Sequence, residues 1–188
     1  KIESNENISS KFNSTIMANL FYEPSTRTQY SFDIAAHKLG IKTINPNMQR
    51  LSHLKGESLL DTITAFHEMG VNLLTIRHSE NFMPHFIANE INIPIINAGD
   101  GTNQHPSQAL IDLFTILQYK PQLKALSICI VGDIAHSRVA RSLIQILTIM
   151  GVQDIRLVSP ANLSANTGTP NIKAYENLNE GLQGCDVI

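Results

Sequence analysis

The sequence predicts an α/β protein with two doubly wound parallel-sheet domains, the second of them incomplete. Short apolar runs typical of buried strands alternate along the chain with segments of helical periodicity. Polar residues around Pro121 separate a first series of these elements from a second one. Such alternation indicates parallel βαβ units with right-handed crossovers. We therefore expect one domain over 1–122 and the start of another over 123–188.

The elements of the first series follow from their apolar patterns. The run 15–21 (TIMANLF) indicates a buried strand, and apolar residues from Phe32 to Leu39 then recur on one face of a helix that Gly40 ends. A polar loop over 45–55 leads to a second helix that ends near Gly70. The other expected elements are an extended piece over 41–44, strands over 73–77 and 93–97, and helices over 83–89 and 107–118.

The second series begins with the apolar run 126–132 (LSICIVG), which indicates a strand. A helix over 137–150 and a strand over 155–158 are expected next. The residues from Cys185 to Ile188 look like the beginning of a further strand. A second domain of about 60 residues is small for independent stability, so we expect the chain to be part of a longer protein.

Composition and charge exclude several classes of protein. The 188 residues are 43% hydrophobic and 16% charged, and 14 basic against 16 acidic residues give a net charge of −2. This balance provides no basic surface for nucleic acid or an anionic membrane, and no apolar run approaches the roughly 20 residues that span a bilayer. The polar start lacks a signal-peptide core, and the 2 cysteines form no CxxC motif. We expect a cytoplasmic protein without nucleic-acid or membrane partners.

The residues after the first strand form a candidate anion site. Ser25 is a favourable N-cap, and the backbone N–H groups that follow it have no partner inside the helix. Thr26, Arg27 and Thr28 add hydroxyl groups and a guanidinium at a helix N-terminus, where an anion is favoured. The turn therefore predicts a phosphate site, and an N-cap beside a surface arginine is the alternative interpretation.

Four further candidates follow strands along the chain: Arg77, His105, Gln108 and Arg138. In open parallel sheets, ligands bind beyond the carboxyl ends of the strands. Arg77 is also compatible with an ordinary arginine exposed to solvent at the end of a strand. His105 is also compatible with a structural histidine that contacts the backbone. These donors and cations, without a carboxylate pair or a nucleophile beside a base, suit binding an anion and polarising a carbonyl group. Residue types alone suggest group transfer from a phosphorylated donor, and no His or Cys pair has metal-ligand spacing.

Four sequence blocks resemble, in order and spacing, the catalytic chain of the aspartate carbamoyltransferase family. The blocks are Ser25–Thr28 (STRT), Lys55–Ser58 (KGES), His105–Gln108 (HPSQ) and Val131–Arg138 (VGDIAHSR). Together they cover nearly the whole chain from Phe12 onward. The resemblance implies a carbamoyl-phosphate domain followed by an aspartate domain, in a family chain that is longer than this one.

The resemblance implies roles for the candidate residues. In the reaction that the resemblance implies, the α-amino group of L-aspartate attacks the carbamoyl carbon of carbamoyl phosphate, which releases phosphate and forms N-carbamoyl-L-aspartate in de novo pyrimidine biosynthesis. Gln108 accepts from the carbamoyl amide, and Arg138 pairs with a carboxylate of aspartate. No metal or organic cofactor is implied. The residues that hold the phosphate are Ser25, Thr26, Arg27, Thr28 and Arg77. The residues near the carbonyl oxygen are Thr28, Arg77 and His105.

The resemblance also implies an assembly. In the family, a loop with Ser52 and Lys55 reaches into the site of the neighbouring subunit, so each site needs a homotrimer, and regulatory chains are possible partners. Sequence patterns alone favour a solvated loop cation at Lys55, and the resemblance reverses that interpretation by assigning Lys55 to both substrates and to catalysis. Two departures from the family pattern are Gln29, where an arginine often follows STRT, and a single serine, Ser52, in the donated loop.

Three alternative hypotheses remain. An ornithine carbamoyltransferase shares the fold and the STRT turn but usually has a cysteine in place of Ser107. A non-catalytic member of the family keeps the fold without the chemistry, whereas all the expected first-domain residues are present here. A nucleotide-binding α/β domain is disfavoured because the chain lacks a P-loop and a G-x-G-x-x-G turn.

Overall fold

The computed structural model describes residues 10–48, 58–165 and 168–188, which divide into two compact units, 1–101 and 102–188. The first unit contains β1 (Ile16–Phe21), α1 (Thr26–Lys38), β2 (Lys42–Ile44), α2 (Leu59–Glu68), β3 (Leu73–His78), α3 (Met83–Glu90) and β4 (Ile95–Asp100). The second contains α4 (Pro106–Tyr119), β5 (Ser127–Val131), α5 (Arg138–Ile149), β6 (Asp154–Val158), β7 (Ile172–Tyr175) and α6 (Leu178–Leu182). Short 3₁₀ turns lie at Ser10–Phe12, Leu123–Ala125 and Ala161–Leu163.

The sheet of the first unit is parallel throughout, with strand order β2-β1-β3-β4. Alternate residues of a strand point to opposite faces, and here both faces are covered. Met17 packs with Ala36 of α1, whereas Ala18 belongs to the cluster that contains Ile63 of α2 and Ile87 of α3. Because helices bury both faces, the central strand β1 is apolar at every position except Asn19, as the predicted doubly wound fold requires.

The second unit has a smaller parallel sheet, with order β5-β6-β7. Ile128 and Ile155 are paired across it and fully buried, and Leu147 of α5 packs in the same core. Val187 forms a single parallel bridge to Ile128, so the segment after Cys185 lies beside β5 without forming a longer strand. The predicted parallel α/β class is confirmed, and β7 and α6 were not predicted.

The last strand of the first unit corrects one sequence prediction. The strand expected over 93–97 begins at Ile95 and continues to Asp100. Pairing with β3 slips by one residue, since Ile76 lies opposite Asn97 and His78 lies opposite Asp100. The extra residue forms a bulge that includes Gly99, whose φ of 123° favours glycine. The sequence interpretation ended the strand at Asn97 and began a loop at Ala98, although Gly99 bends the strand without ending it.

The division into compact units differs from the expected domain boundary. The first unit ends at Gly101 and the second begins at Thr102, whereas the sequence interpretation placed the boundary between 122 and 123. The difference arises from α4, because Leu113 on this helix packs in the core that contains Ile128 and Leu147. The boundary at 122–123 stays a prediction about the domains.

A charged cluster holds the start of the second sheet together. Asp154 accepts hydrogen bonds from Arg156 Nε at 3.0 Å and Nη2 at 2.7 Å, and Ser127 donates to the same carboxylate oxygen. Lys173 Nζ lies 3.6 Å from the other oxygen. The hydrogen bonds from Arg156, helped by Ser127, lower the pKa of Asp154 from 3.8 to about 2. The ionised carboxylate therefore joins three strands, β5, β6 and β7.

The low pKa of Asp154 predicts an acid-sensitive part of the folding stability. A carboxyl whose pKa is lower in the folded state stabilises the fold above its ordinary pKa, and this contribution disappears as the pH falls from about 4 to about 2. We expect the Asp154→Asn variant to be less stable at neutral pH and to lose less stability across that interval. Denaturant unfolding at a series of pH values measures this, with the exposed Glu176→Gln as control. Parallel curves for wild type and Asp154→Asn would contradict the assignment.

Candidate functional site

The turn between β1 and α1 places hydroxyl groups at an open helix end. Ser25 is the N-cap residue, as its sequence position predicted, but its hydroxyl donates to Thr28 Oγ1 at 2.9 Å and caps no backbone N–H. Within the described residues, no side chain caps this helix. Thr26 and Arg27 are exposed beside it. The first backbone N–H groups of α1 are therefore available, with a positive dipole end, to an anion.

Arg77 lies next to this turn because β1 and β3 are neighbouring parallel strands. Phe21 and Arg77 are paired in the sheet, and the Tyr22 N–H donates to the Arg77 carbonyl at 2.9 Å. The Arg77 residue is 8% exposed, and its Nη1 donates to the Ala98 carbonyl at 3.4 Å. The guanidinium is thus held at the carboxyl edge of the sheet, opposite the bulge of β4. The interpretation of Arg77 as an ordinary solvated strand end is wrong.

Glu23 is a functional candidate that the sequence interpretation missed. Its Oε2 lies 3.2 Å from Arg77 Nε, an ion pair at the edge where the anion site was predicted. That buried Nε has no aligned hydrogen bond to any described residue, so the contact is electrostatic. An anion at this edge competes with Glu23 for the arginine. The available signal was an acidic residue directly before the Pro-Ser-Thr-Arg-Thr turn.

The uncharged rings of Tyr22 and His78 pack against each other beside Arg77. Their ring centroids are 5.1 Å apart, and burial raises the pKa of Tyr22 and lowers the pKa of His78. His78 Nδ1 accepts from the backbone N–H of Glu80 at 3.0 Å, which leaves a proton on Nε2 in the neutral ring. The two rings therefore add no charge at this edge.

The second unit contains the other predicted residues, beginning with His105. His105 is the N-cap residue of α4 and is 8% exposed. Its backbone N–H donates to the hydroxyl of the buried Ser142 on α5 at 2.8 Å, and Ser107 Oγ lies 3.3 Å from the imidazole Nδ1. The Ser142 hydroxyl therefore fixes the backbone at His105. Sequence reasoning did not find it, because a serine in an amphipathic helix has no distinctive pattern.

Gln108 and Arg138 lie at the beginnings of α4 and α5. The side-chain amide nitrogen of Gln108 donates to Asp112 Oδ1 at 2.9 Å, which leaves the acceptor role to its carbonyl oxygen. Arg138 is the first residue of α5, after an N-cap, Ser137, whose hydroxyl accepts from the Ala140 N–H at 3.1 Å. Both residues thus have the helix-start positions that the sequence predicted.

The structure brings together two sets of predicted residues, one in each unit. Ser25, Thr26, Arg27, Thr28 and Arg77 share the carboxyl edge of the first sheet, and His105, Gln108 and Arg138 belong to the second unit. Ser52 and Lys55 lie outside the described residues. Among residues 10–48, 58–165 and 168–188, no three His, Cys, Asp or Glu side chains are grouped to hold a metal ion. In the same ranges, no helix has the length and apolar character to cross a membrane.

The chain is similar to carbamoyltransferases in sequence. A family model described as "Aspartate/ornithine carbamoyltransferase, carbamoyl-P binding domain" matches residues 1–118. The aspartate carbamoyltransferase catalytic subunit of Coxiella burnetii is 51% identical over 175 residues, which are 92% of this chain and 56% of the relative. That of Vesicomyosocius okutanii is 43% identical over 174 residues, or 92% of this chain and 54% of the relative. The chain thus spans little more than half the length of these relatives.

The fold is also similar to solved structures. Aspartate transcarbamoylase from Trypanosoma cruzi, in complex with aspartate and phosphate, has a TM-score of 0.82 and 29% identity, covering 94% of this chain and 63% of that chain. The same enzyme in complex with carbamoyl aspartate and phosphate has a TM-score of 0.82 and 29% identity, with 92% and 60% covered. Together with the match over residues 1–118, these similarities show that the chain belongs to the aspartate/ornithine carbamoyltransferase family.

Proposed function

We propose that the protein transfers the carbamoyl group of carbamoyl phosphate to the α-amino group of L-aspartate, giving N-carbamoyl-L-aspartate and phosphate. The observation that carries the proposal is the uncapped start of α1, with its Ser-Thr-Arg-Thr turn beside the buried Arg77. Solved aspartate transcarbamoylases of similar fold hold carbamoyl phosphate, aspartate and carbamoyl aspartate, which supports the same substrates here. The proposed reaction is an early step of pyrimidine biosynthesis in the cytoplasm.

The phosphate is assigned to the carboxyl edge of the first sheet. Backbone N–H groups, hydroxyl groups and two guanidinium groups are the donors that phosphate oxygens accept most strongly. The 3.2 Å pair between Glu23 and Arg77 keeps the arginine at this edge before an anion binds. A phosphoryl group has more charge than one carboxylate, so Arg77 exchanges one anionic partner for a stronger one.

The transfer step requires donors for a developing negative charge. When the amine of aspartate attacks the carbamoyl carbon, the carbonyl oxygen becomes an oxyanion, and a donor aimed at it contributes about 10²–10³ in rate. We assign this role to Thr28, Arg77 and His105, the last as a neutral N–H donor. Departing phosphate then takes the remaining amine proton. The step uses no metal or organic cofactor, and Gln108 accepts from the carbamoyl amide.

The amino-acid acceptor and the assembly complete the proposal. Arg138 binds a carboxylate of aspartate, a pairing supported by its position at the start of α5. Ser52 and Lys55 reach the site from the neighbouring subunit of a homotrimer, where Lys55 contacts both substrates. Regulatory chains are further possible partners. Because the chain spans 56% of the Coxiella relative, the tests use the protein at its full genomic length.

The first test is carbamoyl transfer with two acceptors in parallel. We expect product from carbamoyl phosphate with L-aspartate and none with L-ornithine. Aspartate has a second carboxylate, which complements Arg138, whereas ornithine has a second amine, which does not. Product is measured by separating carbamoyl amino acids from the free acceptors. Transfer to ornithine alone would support the ornithine enzyme, and a folded protein without transfer to either would support the non-catalytic hypothesis.

A mixing experiment tests the shared site. Arg27→Ala weakens carbamoyl phosphate binding by about 1.5–3 kcal/mol because it removes a charge-assisted contact, and Lys55→Ala removes the donated cation. When the two variants are dissociated, mixed equally and reassembled, about a quarter of the sites combine an intact Arg27 with an intact Lys55. We expect activity to return to about that level on mixing. Activity that stays at the level of the separate variants would contradict the shared site.

The contact between Ser142 and His105 gives a third test. The Ser142→Ala variant leaves a buried N–H without its acceptor, at a cost of about 1–3 kcal/mol in unfolding free energy. We expect kcat to fall by about 10- to 100-fold, because a displaced donor no longer faces the oxyanion. Thr115→Ala is the control, since that exposed hydroxyl donates to the Ile111 carbonyl of its own helix. An unchanged kcat in Ser142→Ala would show that His105 needs no such support.

A further inference from the structure

The turn between β5 and α5 contains a carboxylate and an imidazole that none of the proposed roles uses. His136 Nδ1 lies 3.0 Å from Asp133 Oδ1 and 3.1 Å from Oδ2, and the His136 backbone N–H donates to Oδ1 at 3.0 Å. The hydrogen bonds from the His136 backbone and ring lower the pKa of Asp133, so its carboxylate is ionised at neutral pH. The pair is next to Arg138 along the chain.

The contact sets the state of the imidazole. With an ionised carboxylate at Nδ1, the neutral ring holds its proton there and has a lone pair at Nε2. Within the described residues, no hydrogen bond involves Nε2, and the side chain is 67% exposed. A carboxylate that orients an imidazole in this way is the arrangement of a general base.

The turn itself does not need the ring contact. The backbone N–H of His136 already closes the turn on Asp133, and any residue at position 136 provides that group. The N–H groups of Ile134 and Ala135 both donate to the Leu163 carbonyl, and Arg141 Nη2 donates to the Ala135 carbonyl at 3.4 Å. The backbone of the turn is thus fixed without the imidazole. The same fixed backbone contains His136 and leads to Arg138 at the start of α5.

The proposed reaction needs a proton acceptor at the amino-acid side. The α-amino group of a free amino acid is an ammonium at neutral pH and has no lone pair for attack. Phosphate leaves only after the attack, so it accounts for the second amine proton and not for the first. The oxyanion donors assigned above supply protons or positive charge and remove none.

We propose that His136, oriented by Asp133, takes the proton from the ammonium of the amino acid that Arg138 binds. This rests on the proposed function. One N–H bond of the ammonium breaks, its electron pair stays on nitrogen, and the proton goes to Nε2. The free amine then attacks the carbamoyl carbon, and the exposed imidazolium returns its proton to water. The ion pair with Asp133 stabilises the imidazolium until that release.

The pH dependence follows from the groups around the turn. The charged groups at this turn are Asp133 on the loop and Arg138 and Arg141 on α5, and the segment 159–165 that packs on it has no titratable side chain. The base acts in its neutral form. We therefore expect the rate with limiting aspartate to rise with pH.

The test compares kcat/KM for L-aspartate across pH in wild type and in the His136→Gln variant at full genomic length. At neutral pH, we expect kcat/KM of the variant to be lower than that of wild type by a factor on the order of 10², the lower end of what a general base contributes. The deficit should shrink as the pH rises, because the ammonium of free aspartate then loses its proton to solvent. The KM for carbamoyl phosphate should stay at the wild-type value, which also shows that the variant is folded.

His85→Gln is the matched control, since His85 is an exposed histidine on α3 in the first unit. It should keep the wild-type profile at every pH. A deficit in His136→Gln that is equal at all pH values would overturn the proposal and assign the ring a positioning role, and an unchanged profile would overturn it outright. If wild type transfers nothing to aspartate, the proposed function fails first, and this inference fails with it.

Discussion

The parallel pairing of β1 with β3 is the interaction on which the first unit depends. Ala18 and Leu20 of β1 and Leu74 and Ile76 of β3 are fully buried, so the pair forms the apolar centre of the sheet. Because the strands are parallel and in this register, the turn after β1 and the guanidinium of Arg77 leave the sheet at the same edge. A slip of one residue would turn Arg77 to the other face. The electrostatics of the edge is therefore a consequence of apolar packing.

In the second unit, helix starts place the candidate site residues, as strand pairing does in the first unit. His105 and Arg138 both stand where a helix begins, and in each case a serine on α5 or at its cap holds the backbone: Ser142 for His105 and Ser137 for the start of α5. The two helices α4 and α5 pack in one core through Leu113 and Leu147. The hydroxyl groups of these two serines accept hydrogen bonds from backbone N–H groups and thereby fix the backbone at each helix start.

Much of the fold and part of the site were predictable. The strand 15–21 and the helices that follow have strong apolar periods, and tertiary packing did not override them. The residues at helix starts were found because Ser25 and Arg138 each lie only a short turn after an apolar run. The end of β4 was misplaced because a glycine in a bulge and a glycine in a loop look the same in sequence. β7 was missed because its four residues, IKAY, have no long apolar run.

The sequence by itself determined the parallel α/β class, the order of strands and helices as far as β6, and the residue types at the candidate site, because these follow from periodicity and from local turn chemistry. Only the tertiary structure decided that Glu23 pairs with Arg77, that Ser142 holds His105, and that α4 packs in the second core. These contacts join residues 37 or more positions apart or depend on which face a helix buries. No local pattern encodes such contacts, because they result from the packing of whole elements.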